Sequence, residues 1–559
     1  MKDSSKCPVL IRSDAGGYLG AGHIMRMIAL GQALLDREIP VCFASMQCPQ
    51  PLSNRMEREG FSFHTLKESA LGGKEDAKET KRLAIELDCQ WVVLDGYHFD
   101  LDYQKTLRTD SLKVAIMEDH DHCKEWYADL IVNQNLGSEK KSHQNTLLTG
   151  QSLCGAFYTL LRREFRTSDL LEKKGSWPPK NLLLTMGGVD PDNATGLVLE
   201  GIEGLESEGF CIKVVLSSQN PHKSDIEEVV RQSKHRIEIL FDVMDMPALY
   251  RWAEVAVTAG GSTCYEWMYY HLPAAVLKLA DNQEPIFEAL KREPRVLLLG
   301  QLGKVDAGRI THELRNWFGT ALLPRFSHSV DGQGSRRVAA YLENRLTISI
   351  VTAEESWINP LLKEFFSELQ DQGHRVYWVH QAEQAPASDL LFLLSYRGMV
   401  PKEIRKRHAH VLVVHASELP KGRGWSPLTW QVLEGKNEIP ICLFEAVDKV
   451  DAGSIYLSDK IRLEGHELID EIREKLLVGT LKLCQHFINE YPSIAATGKT
   501  QQGSSSTYPR RRPRDSELDP DKSIREQFNH LRIVDNKEYP AFFEHQGHRY
   551  RLQIEREKS

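Results

Sequence analysis

The sequence lacks the features that mark a membrane protein, a secreted protein or a metal-cluster protein. No apolar run approaches the roughly 20 residues needed to cross a bilayer. The first residues, Met1-Lys2-Asp3, lack the apolar stretch of a signal peptide. None of the ten cysteines belongs to a Cys-x-x-Cys pair, so a zinc or redox centre is not indicated. We therefore expect a cytoplasmic protein that keeps its thiols reduced and binds no membrane.

Charge of one sign is not concentrated either. The net charge of −8 is spread over 70 basic and 78 acidic residues, and the one marked basic run, at Arg510–Arg512, is short. An electrostatic footprint for nucleic acid is missing, so we predict no nucleic-acid partner. A chain of 559 residues exceeds what a single hydrophobic core fills, which predicts more than one domain. No motif encodes an oligomeric state.

Short apolar runs alternate with helical patterns along most of the chain. Runs such as 8–11 and 91–94 are typical of strands covered on both faces. Their alternation with helices predicts βαβ units and parallel sheets, and therefore the α/β fold class. The pattern pauses near 173–180 and 331–337, and the Gly-, Ser- and Gln-rich segment 497–507 predicts a loop or linker. The predicted domains are 1–175, 176–335, 346–496 and, as a linker with a C-terminal subdomain, 497–559.

A glycine-rich loop follows the first predicted strand. It contains Gly20 and Gly22 and leads into a helix whose free N–H groups favour an anion, which predicts a phosphate site. The dinucleotide fingerprint is not matched, because Met25 stands where its third glycine belongs. His23 stands at the helix start, where the dipole disfavours its protonated form, so it suits a general base. A histidine that only caps or packs the turn would look the same, and this alternative stays open.

Further motifs follow the loop in a fixed order. They are Arg12-Ser13-Asp14 with Gly20-x-Gly22-His23-x-x-Arg26, Leu94-Asp95-Gly96-Tyr97, Asn133-Gln134-Asn135-Leu136, Tyr158-x-Leu160-Leu161-Arg162, Met186-Gly187-Gly188, Ala259-Gly260-Gly261-Ser262-Thr263-x-x-Glu266 and Ala280-Asp281-Asn282-Gln283. This ordered set, over residues 8 to about 330, resembles the UDP-2,4-diacetamido-2,4,6-trideoxy-β-L-altropyranose hydrolases of pseudaminic acid biosynthesis. Those enzymes are relatives of the UDP-binding glycosyltransferases of GT-B type.

The resemblance implies two Rossmann-like domains, the first with the catalytic loop and the second binding UDP. It implies that His23 activates a water that attacks the anomeric carbon with inversion, and that UDP leaves without a metal or another cofactor. The substrate-binding residues that it implies are Arg12, Asp14, Gly20, Gly22, Arg26, Tyr97, Arg162, Gly187, Gly188, Gly260, Gly261, Ser262, Thr263, Glu266, Asn282 and Gln283.

Elementary chemistry fits several of these roles. Amides of glycine-rich loops after strands can hold a diphosphate as charge develops on it, and the Glu266 carboxylate is placed to accept hydrogen bonds from ribose hydroxyls. Asp and Asn beside Gly would equally serve as caps or turn residues.

One segment, Asp119-His120-Asp121-His122-Cys123, has the composition of a metal site. Adjacent residues on an extended loop point to opposite sides, and a structural zinc site usually recruits a second ligand pair. We therefore predict no metal there.

The third series of elements carries different motifs. The stretch from Val413 to Pro427 with His415, and the stretch from Phe444 to Gly453 with Asp451, resemble the folate-dependent formyltransferases. The resemblance implies that His415 and Asp451 act on an amine that attacks the formyl group of 10-formyltetrahydrofolate. The asparagine of that family belongs two residues before the histidine, where this chain has Val413. Loss of one oxyanion donor typically costs on the order of a hundred- to a thousandfold in rate.

The sequence therefore predicts a UDP-sugar hydrolase fused to a domain that N-formylates an amino sugar, both acting on the way to a nonulosonic acid. Two alternatives stay open. One is a UDP-sugar glycosyltransferase, which would need an acceptor surface. The other is a hydrolase whose C-terminal part is a non-catalytic docking module. Epimers differ in hydroxyl directions that no motif encodes, so the sugar stereochemistry is not predicted.

Overall fold

The computed structural model describes residues 8–16, 21–119, 122–140, 148, 151–166, 177–187, 190–206, 209–320, 326 and 330–557. The chain divides into two compact units, Met1–Leu342 and Glu343–Ser559. Strands alternate with helices in both units, which confirms the predicted α/β class.

The first unit begins with a seven-stranded parallel sheet. Its strands are β1 (Val9–Ser13), β2 (Val41–Ser45), β3 (Ser62–Thr65), β4 (Trp91–Asp95), β5 (Lys113–Met117), β6 (Leu130–Asn133) and β7 (Gln151–Cys154). Its helices are α1 (Gly22–Leu35), α2 (Gln50–Arg58), α3 (Lys74–Glu86), α4 (Leu101–Leu107) and α5 (Arg163–Arg166). The strand order is β3-β2-β1-β4-β5-β6-β7. Because the winding reverses between β1 and β4, the loops after these strands diverge and open a crevice at the carboxyl edge.

The strands beside this crevice are completely enclosed. Every residue of β1, β2 and β4 is buried, as expected for a parallel sheet with helices on both faces. Helix α1 contributes Ile24, Met27 and Ile28 to the core on one face. Burial on both faces explains why these strands read as continuous apolar runs rather than as alternating ones.

A second parallel sheet of six strands follows. Its strands are β8 (Asn181–Thr185), β9 (Cys211–Leu216), β10 (Arg236–Phe241), β11 (Val255–Ala259), β12 (Ala274–Lys278) and β13 (Val296–Gln301). Its helices are α6 (Ala194–Glu203), α7 (Lys223–Gln232), α8 (Met246–Trp252), α9 (Thr263–Tyr269), α10 (Glu284–Leu290) and α11 (Ala307–Phe318). The order β10-β9-β8-β11-β12-β13 places a second crevice between β8 and β11.

The last helix of the unit, α12 (Gly334–Glu343), returns to the first sheet. Its Val338, Ala339 and Leu342 lie in the same core cluster as Val9 and Ile11 of β1. Two Rossmann-like domains of the GT-B type thus form one unit. The last helix of this unit packs on the domain that contains its first strand.

The second unit holds a mixed six-stranded sheet of order β15-β14-β16-β17-β19-β20. The strands of this sheet are β14 (Thr347–Val351), β15 (Arg375–Val379), β16 (Leu390–Leu393), β17 (His410–His415), β19 (Glu438–Glu445) and β20 (Ile455–Arg462). Two further pairs of strands lie outside it: β18 (Arg423–Gly424) with β21 (Thr507–Tyr508), and β22 (Ala541–His545) with β23 (His548–Leu552). Its helices are α13 (Asn359–Asp371), α14 (Lys402–Arg405), α15 (Pro427–Leu433), α16 (Ile469–Glu490) and α17 (Phe528–Arg532). Strands β14 to β17 are parallel, whereas β19 and β20 continue the sheet in antiparallel pairing.

The segment 497–507, predicted as a loop or linker, is fastened to the second unit. Lys499 forms an antiparallel bridge with Ile455, and β21, which begins at Thr507, pairs with β18. Residues 498–506 form a loop, as one of the two predicted possibilities, and the loop is bonded to the second unit. Polar contacts order this segment, and a count of apolar residues does not detect them. Within the part of the chain that the structure describes, no helix is both long and apolar enough to span a bilayer.

Candidate functional site

His23 is the second residue of α1, at the crevice between β1 and β4. Its ring meets the ring of Tyr97, from the loop after β4, edge to face, with 5.0 Å between the centroids. Burial lowers the pKa of His23, so the imidazole is neutral at neutral pH. A neutral imidazole enclosed beside a ligand crevice is able to accept a proton.

Arg26, one turn further along α1, balances the charges around His23. Its Nε donates to Asp95 Oδ2 at 2.6 Å, and its Nη1 donates to Asp119 Oδ2 at 2.5 Å. Burial opposes the charge of Arg26, yet Asp119 and Asp95 raise its pKa well above the ordinary value. The two carboxylates each favour protonated His23, whereas Arg26 disfavours it. The opposing effects of Arg26 and the two carboxylates offset each other in part, and burial keeps the His23 imidazole neutral.

Replacing Arg26 by methionine should raise the pKa of His23, because the carboxylates lose their counter-ion and then stabilise the imidazolium. The free energy of unfolding should also fall by about 3–5 kcal/mol, since an uncompensated charge stays buried. Histidine NMR titration and urea denaturation measure the two effects. Arg58→Met, at an exposed position of α2, is the matched control and should change neither. A folded Arg26→Met protein with an unmoved His23 pKa would contradict this charge balance.

Loops of the second Rossmann-like domain meet this site. The side-chain amide of Asn282 donates to the Tyr97 hydroxyl at 3.4 Å. A Cβ atom added to Gly22 would lie 3.9 Å from Ser262 Oγ, so the two glycine-rich loops approach each other directly. The structure thus brings together His23, Tyr97 and Gly22 of one domain with Ser262 and Asn282 of the other.

The loop after β11 is shaped by Gln283. A Cβ atom added to Gly260 would lie 3.3 Å from Gln283 Oε1, and one added to Gly261 would lie 3.8 Å from its Nε2. Gln283 Oε1 in turn accepts a hydrogen bond from the Leu279 amide at 2.9 Å. Gln283 therefore packs against this loop, which ends at Thr263, the first residue of α9.

Gly187 follows β8, the strand that pairs with β11 in the same sheet. Gly187 has a φ of +95°, which suits glycine, and a Cβ atom added there would meet nothing within 4 Å. Its backbone therefore borders open space. Gly20 and Gly188, also predicted as substrate ligands, lie outside the described residues.

Arg12 and Asp14 are buried and bonded to other protein groups. Their exposed fractions are 0% and 1%. Arg12 donates to Asp14 and, through Nε and Nη2, to both carboxylate oxygens of Asp76. Asp14 also accepts from the backbone amides of Met46 and Gln47. These side chains brace the loops after β1 and β2, and their predicted contact with substrate stays a prediction.

Arg162 and Glu266 form an ion pair between the two domains. Arg162 Nη2 lies 3.0 Å from Glu266 Oε1, and the Tyr250 hydroxyl donates to Glu266 Oε2 at 3.0 Å. Burial raises the pKa of Glu266 despite the neighbouring Arg162. The buried Arg162 therefore holds Glu266 in place. Each oxygen of the Glu266 carboxylate can accept a further hydrogen bond, so these contacts are compatible with ribose binding, which stays a prediction.

The segment with metal-like composition is described only in part, because His120 and Asp121 lie outside the described residues. Asp119 is the partner of Arg26, and His122 Nδ1 lies 3.1 Å from Glu118 Oε2. Burial alone would lower the pKa of His122, but the neighbouring Cys123 and Glu118 raise it to about 10. Among the described residues no group of three or more His, Cys, Asp or Glu side chains is arranged to hold a metal ion.

In the second unit, the predicted pair His415 and Asp451 comes together. His415 ends β17, and its Nε2 lies 3.9 Å from Asp451 Oδ2. The same nitrogen bonds to the carbonyl oxygen of Gly422 at 2.9 Å, and the Gly424 amide donates to Asp451 Oδ2 at 2.8 Å. Residues 422–424, which include the short strand β18, therefore bond to both side chains.

Val413 lies two residues before His415 on the same face of β17. It packs against Leu419, Cys442 and Phe444. An apolar side chain thus occupies the position where the formyltransferase family has its amide donor.

Sequence reasoning missed the partners that place these groups. Asp95 and Asp119 were named in motifs but not as counter-ions of Arg26, although Asp95 ends β4 directly beside Ser13 of β1. Gly422 and Gly424 lie in the formyltransferase-like stretch Val413 to Pro427 but were not predicted to bond to His415 and Asp451. Gln501 was not predicted, because the polar residues around it indicate only a loop.

The fold and these sites define a multidomain α/β protein with a GT-B type pair of Rossmann-like domains and a formyltransferase-like domain. Residues 350–481 match the formyl transferase family model, which confirms the predicted nature of the third domain. The chain is 23% identical over 286 residues to the uncharacterized protein MJ1062 of Methanocaldococcus jannaschii. That match covers 50% of this chain and spans 57% of the relative's length.

Solved structures are similar to separate parts of the chain. MurG of Acinetobacter baumannii is 12% identical, with a TM-score of 0.41, over 61% of this chain and 99% of that one. The methionyl-tRNA formyltransferase of Clostridium thermocellum is 20% identical, with a TM-score of 0.33, over 36% and 90%. A 4-N formyltransferase of Francisella tularensis is 16% identical, with a TM-score of 0.30, over 38% and 99%.

Proposed function

We propose that the first unit hydrolyses UDP-2,4-diacetamido-2,4,6-trideoxy-β-L-altropyranose to the free sugar and UDP, a step toward pseudaminic acid. The observation that carries the proposal is the place of His23. Burial keeps it neutral, and it stands where Tyr97 and Gly22 of one domain meet Asn282 and Ser262 of the other.

In this reaction His23 takes a proton from a water molecule whose oxygen attacks the anomeric carbon. The bond from that carbon to the β-phosphate oxygen breaks, and UDP leaves with the electron pair. Backbone amides of the loops at Gly187 and Gly260 are placed to stabilise the charge that develops on the diphosphate. Attack opposite the leaving group inverts the anomeric configuration.

Incubation of the full chain with this UDP-sugar alone tests the proposal. Release of UDP together with a reducing sugar is expected, and trapping the product before it mutarotates should show inversion. A protein that releases UDP only when a sugar or lipid acceptor is added would be a glycosyltransferase instead. Such a result would overturn the hydrolase assignment.

We also propose that the second unit N-formylates an amino sugar with 10-formyltetrahydrofolate as the formyl donor. The family match and the 3.9 Å approach of His415 to Asp451 support this. The loop before Asp451 exposes Val447 and Val450, which are 39% and 50% exposed and offer apolar surface that the pteridine ring would cover. We place both reactions in the cytoplasm, where nucleotide sugars and reduced folates occur.

In the formyl transfer, the amine nitrogen attacks the formyl carbon, and Asp451 accepts the proton that the amine loses. His415 stabilises the tetrahedral oxyanion, which collapses as the bond from the formyl carbon to N10 of the donor breaks. The proton that Asp451 accepted passes to N10, and tetrahydrofolate leaves. Mixing the chain with the donor and a free 4-amino-4,6-dideoxy sugar should add one formyl group to the acceptor mass. An unchanged acceptor under saturating donor would favour a docking module.

A further inference from the structure

The turn that carries Asp451 is conformationally demanding. Asp451 has a φ of +50°, a left-handed conformation that non-glycine residues seldom adopt. Two residues later, a Cβ atom added to Gly453 would lie 1.7 Å from the carbonyl oxygen of Glu445, so the turn is pressed against β19. Such a conformation persists only where neighbouring groups hold it.

Gln501 supplies that hold. Its side-chain Nε2 donates to the carbonyl oxygens of both Asp451 and Gly453, each at 2.9 Å. Its Oε1 accepts a hydrogen bond from Arg423 Nη2. The side-chain amide of Gln501 thus bonds to the backbone of the turn on both sides of residue 452. Both of its N–H bonds are used, so it has no donor left for a reacting group.

The same segment fixes the other half of the site. Ser506 accepts hydrogen bonds from the amides of Gly422, at its Oγ, and Arg423, at its carbonyl, both at 2.9 Å. Gly422 in turn provides the carbonyl that bonds to His415, and Gly424 provides the amide that bonds to Asp451. Residues 501–506 therefore determine where both side chains stand.

We infer that Gln501 is a positioning residue for formyl transfer, acting through Asp451. The inference rests on the formylation proposed for the second unit. It assigns a part of the site to a segment outside residues 350–481, the stretch that matches the formyl transferase family. Proton transfer to Asp451 requires hydrogen-bond geometry, and a misplacement of about 1 Å costs on the order of a hundredfold in rate.

Steady-state formylation by the full chain tests this. Gln501→Ala should lower kcat about 10- to 100-fold with little change in either KM, because ligand contacts stay while the base moves. Gln501→Glu should lose as much, since a carboxylate cannot donate to the two carbonyls. Gln502→Ala, at the adjacent exposed position, should keep wild-type kcat. UDP release by the first unit should be the same in all variants, and an unchanged thermal unfolding profile reports that the second unit is folded.

A double substitution separates positioning from general support of the fold. If Gln501 acts through Asp451, Gln501→Ala should cost nothing further in an Asp451→Asn background. Independent, multiplying losses would overturn the inference, as would full kcat in Gln501→Ala. A wild-type protein that formylates no amino sugar would overturn the proposed formylation together with this role for Gln501.

Discussion

Replacing His23 by alanine should lower the rate of UDP release by about 10²- to 10⁴-fold, the range that general bases contribute. The substitution removes the group that takes the proton from water but leaves the glycine-rich loops and the Tyr97–Asn282 contact in place. The KM for the UDP-sugar should therefore change little. Measurement of released UDP under saturating substrate gives the loss. His312→Ala, at an exposed position of α11, is the matched control and should be fully active.

The pH dependence gives a second test of the same base. Burial lowers the pKa of His23, so the protonated, inactive form accumulates only at a pH below the ordinary histidine value of about 6.5. The wild-type rate should hold as the pH falls to 6.5 and decline below it. An acid limb centred above 6.5, or a His23→Ala protein with wild-type turnover, would refute His23 as the base.

Replacing Asp451 by asparagine should lower formylation by about 10²- to 10⁴-fold. The amide keeps an oxygen that can accept from the Gly424 N–H, so the turn survives, but it cannot take the amine proton. Product mass under saturating donor and acceptor measures the effect. UDP release should be unchanged, because His23 and its partners lie in the other unit.

Asp448→Asn is the matched control for this variant. Asp448 lies three residues earlier in the same loop, is exposed and pairs with Arg405, so its substitution should leave formylation intact. Equal losses of formylation in Asp451→Asn and Asp448→Asn would mean that the negative charge of the loop, and not proton transfer to Asp451, supports the reaction. Full formylation by Asp451→Asn would remove the carboxylate from the mechanism, whereas the docking interpretation of the second unit expects no formylation even from the wild-type protein.

Local patterns predicted the α/β class and the parallel sheets correctly. Strands buried on both faces must be apolar throughout, and loops that follow parallel strands carry the residues that bind ligands, so both leave a direct mark on the sequence. His415 and Asp451 were paired from motif resemblance, and the structure places them 3.9 Å apart. The catalytic roles of these residues and of His23 stay predictions.

The partners of the charged residues could not be predicted in this way. Arg12 and Arg26 were predicted to bind substrate, yet Arg12 is bonded to Asp14 and Asp76, and Arg26 is bonded to Asp95 and Asp119. The last three of these partners are separated from their arginines by 64 to 93 positions in the chain. A motif shows that an arginine is required but does not show whether a carboxylate or a phosphate neutralises it.

The sequence by itself determined the α/β class and the motifs on which the proposals rest: a histidine at a glycine-rich helix start and a His–Asp pair in a formyltransferase-like domain. Only the tertiary structure decided how those groups are held. The order of strands in the first sheet sets β1 beside β4, which gives Arg26 its counter-ions and keeps His23 neutral. The segment 497–507, predicted only as a loop or linker, contains Gln501, which bonds to the turn at Asp451. The reason is that burial and helix starts are local properties, whereas charge balance and side-chain placement depend on contacts between distant segments.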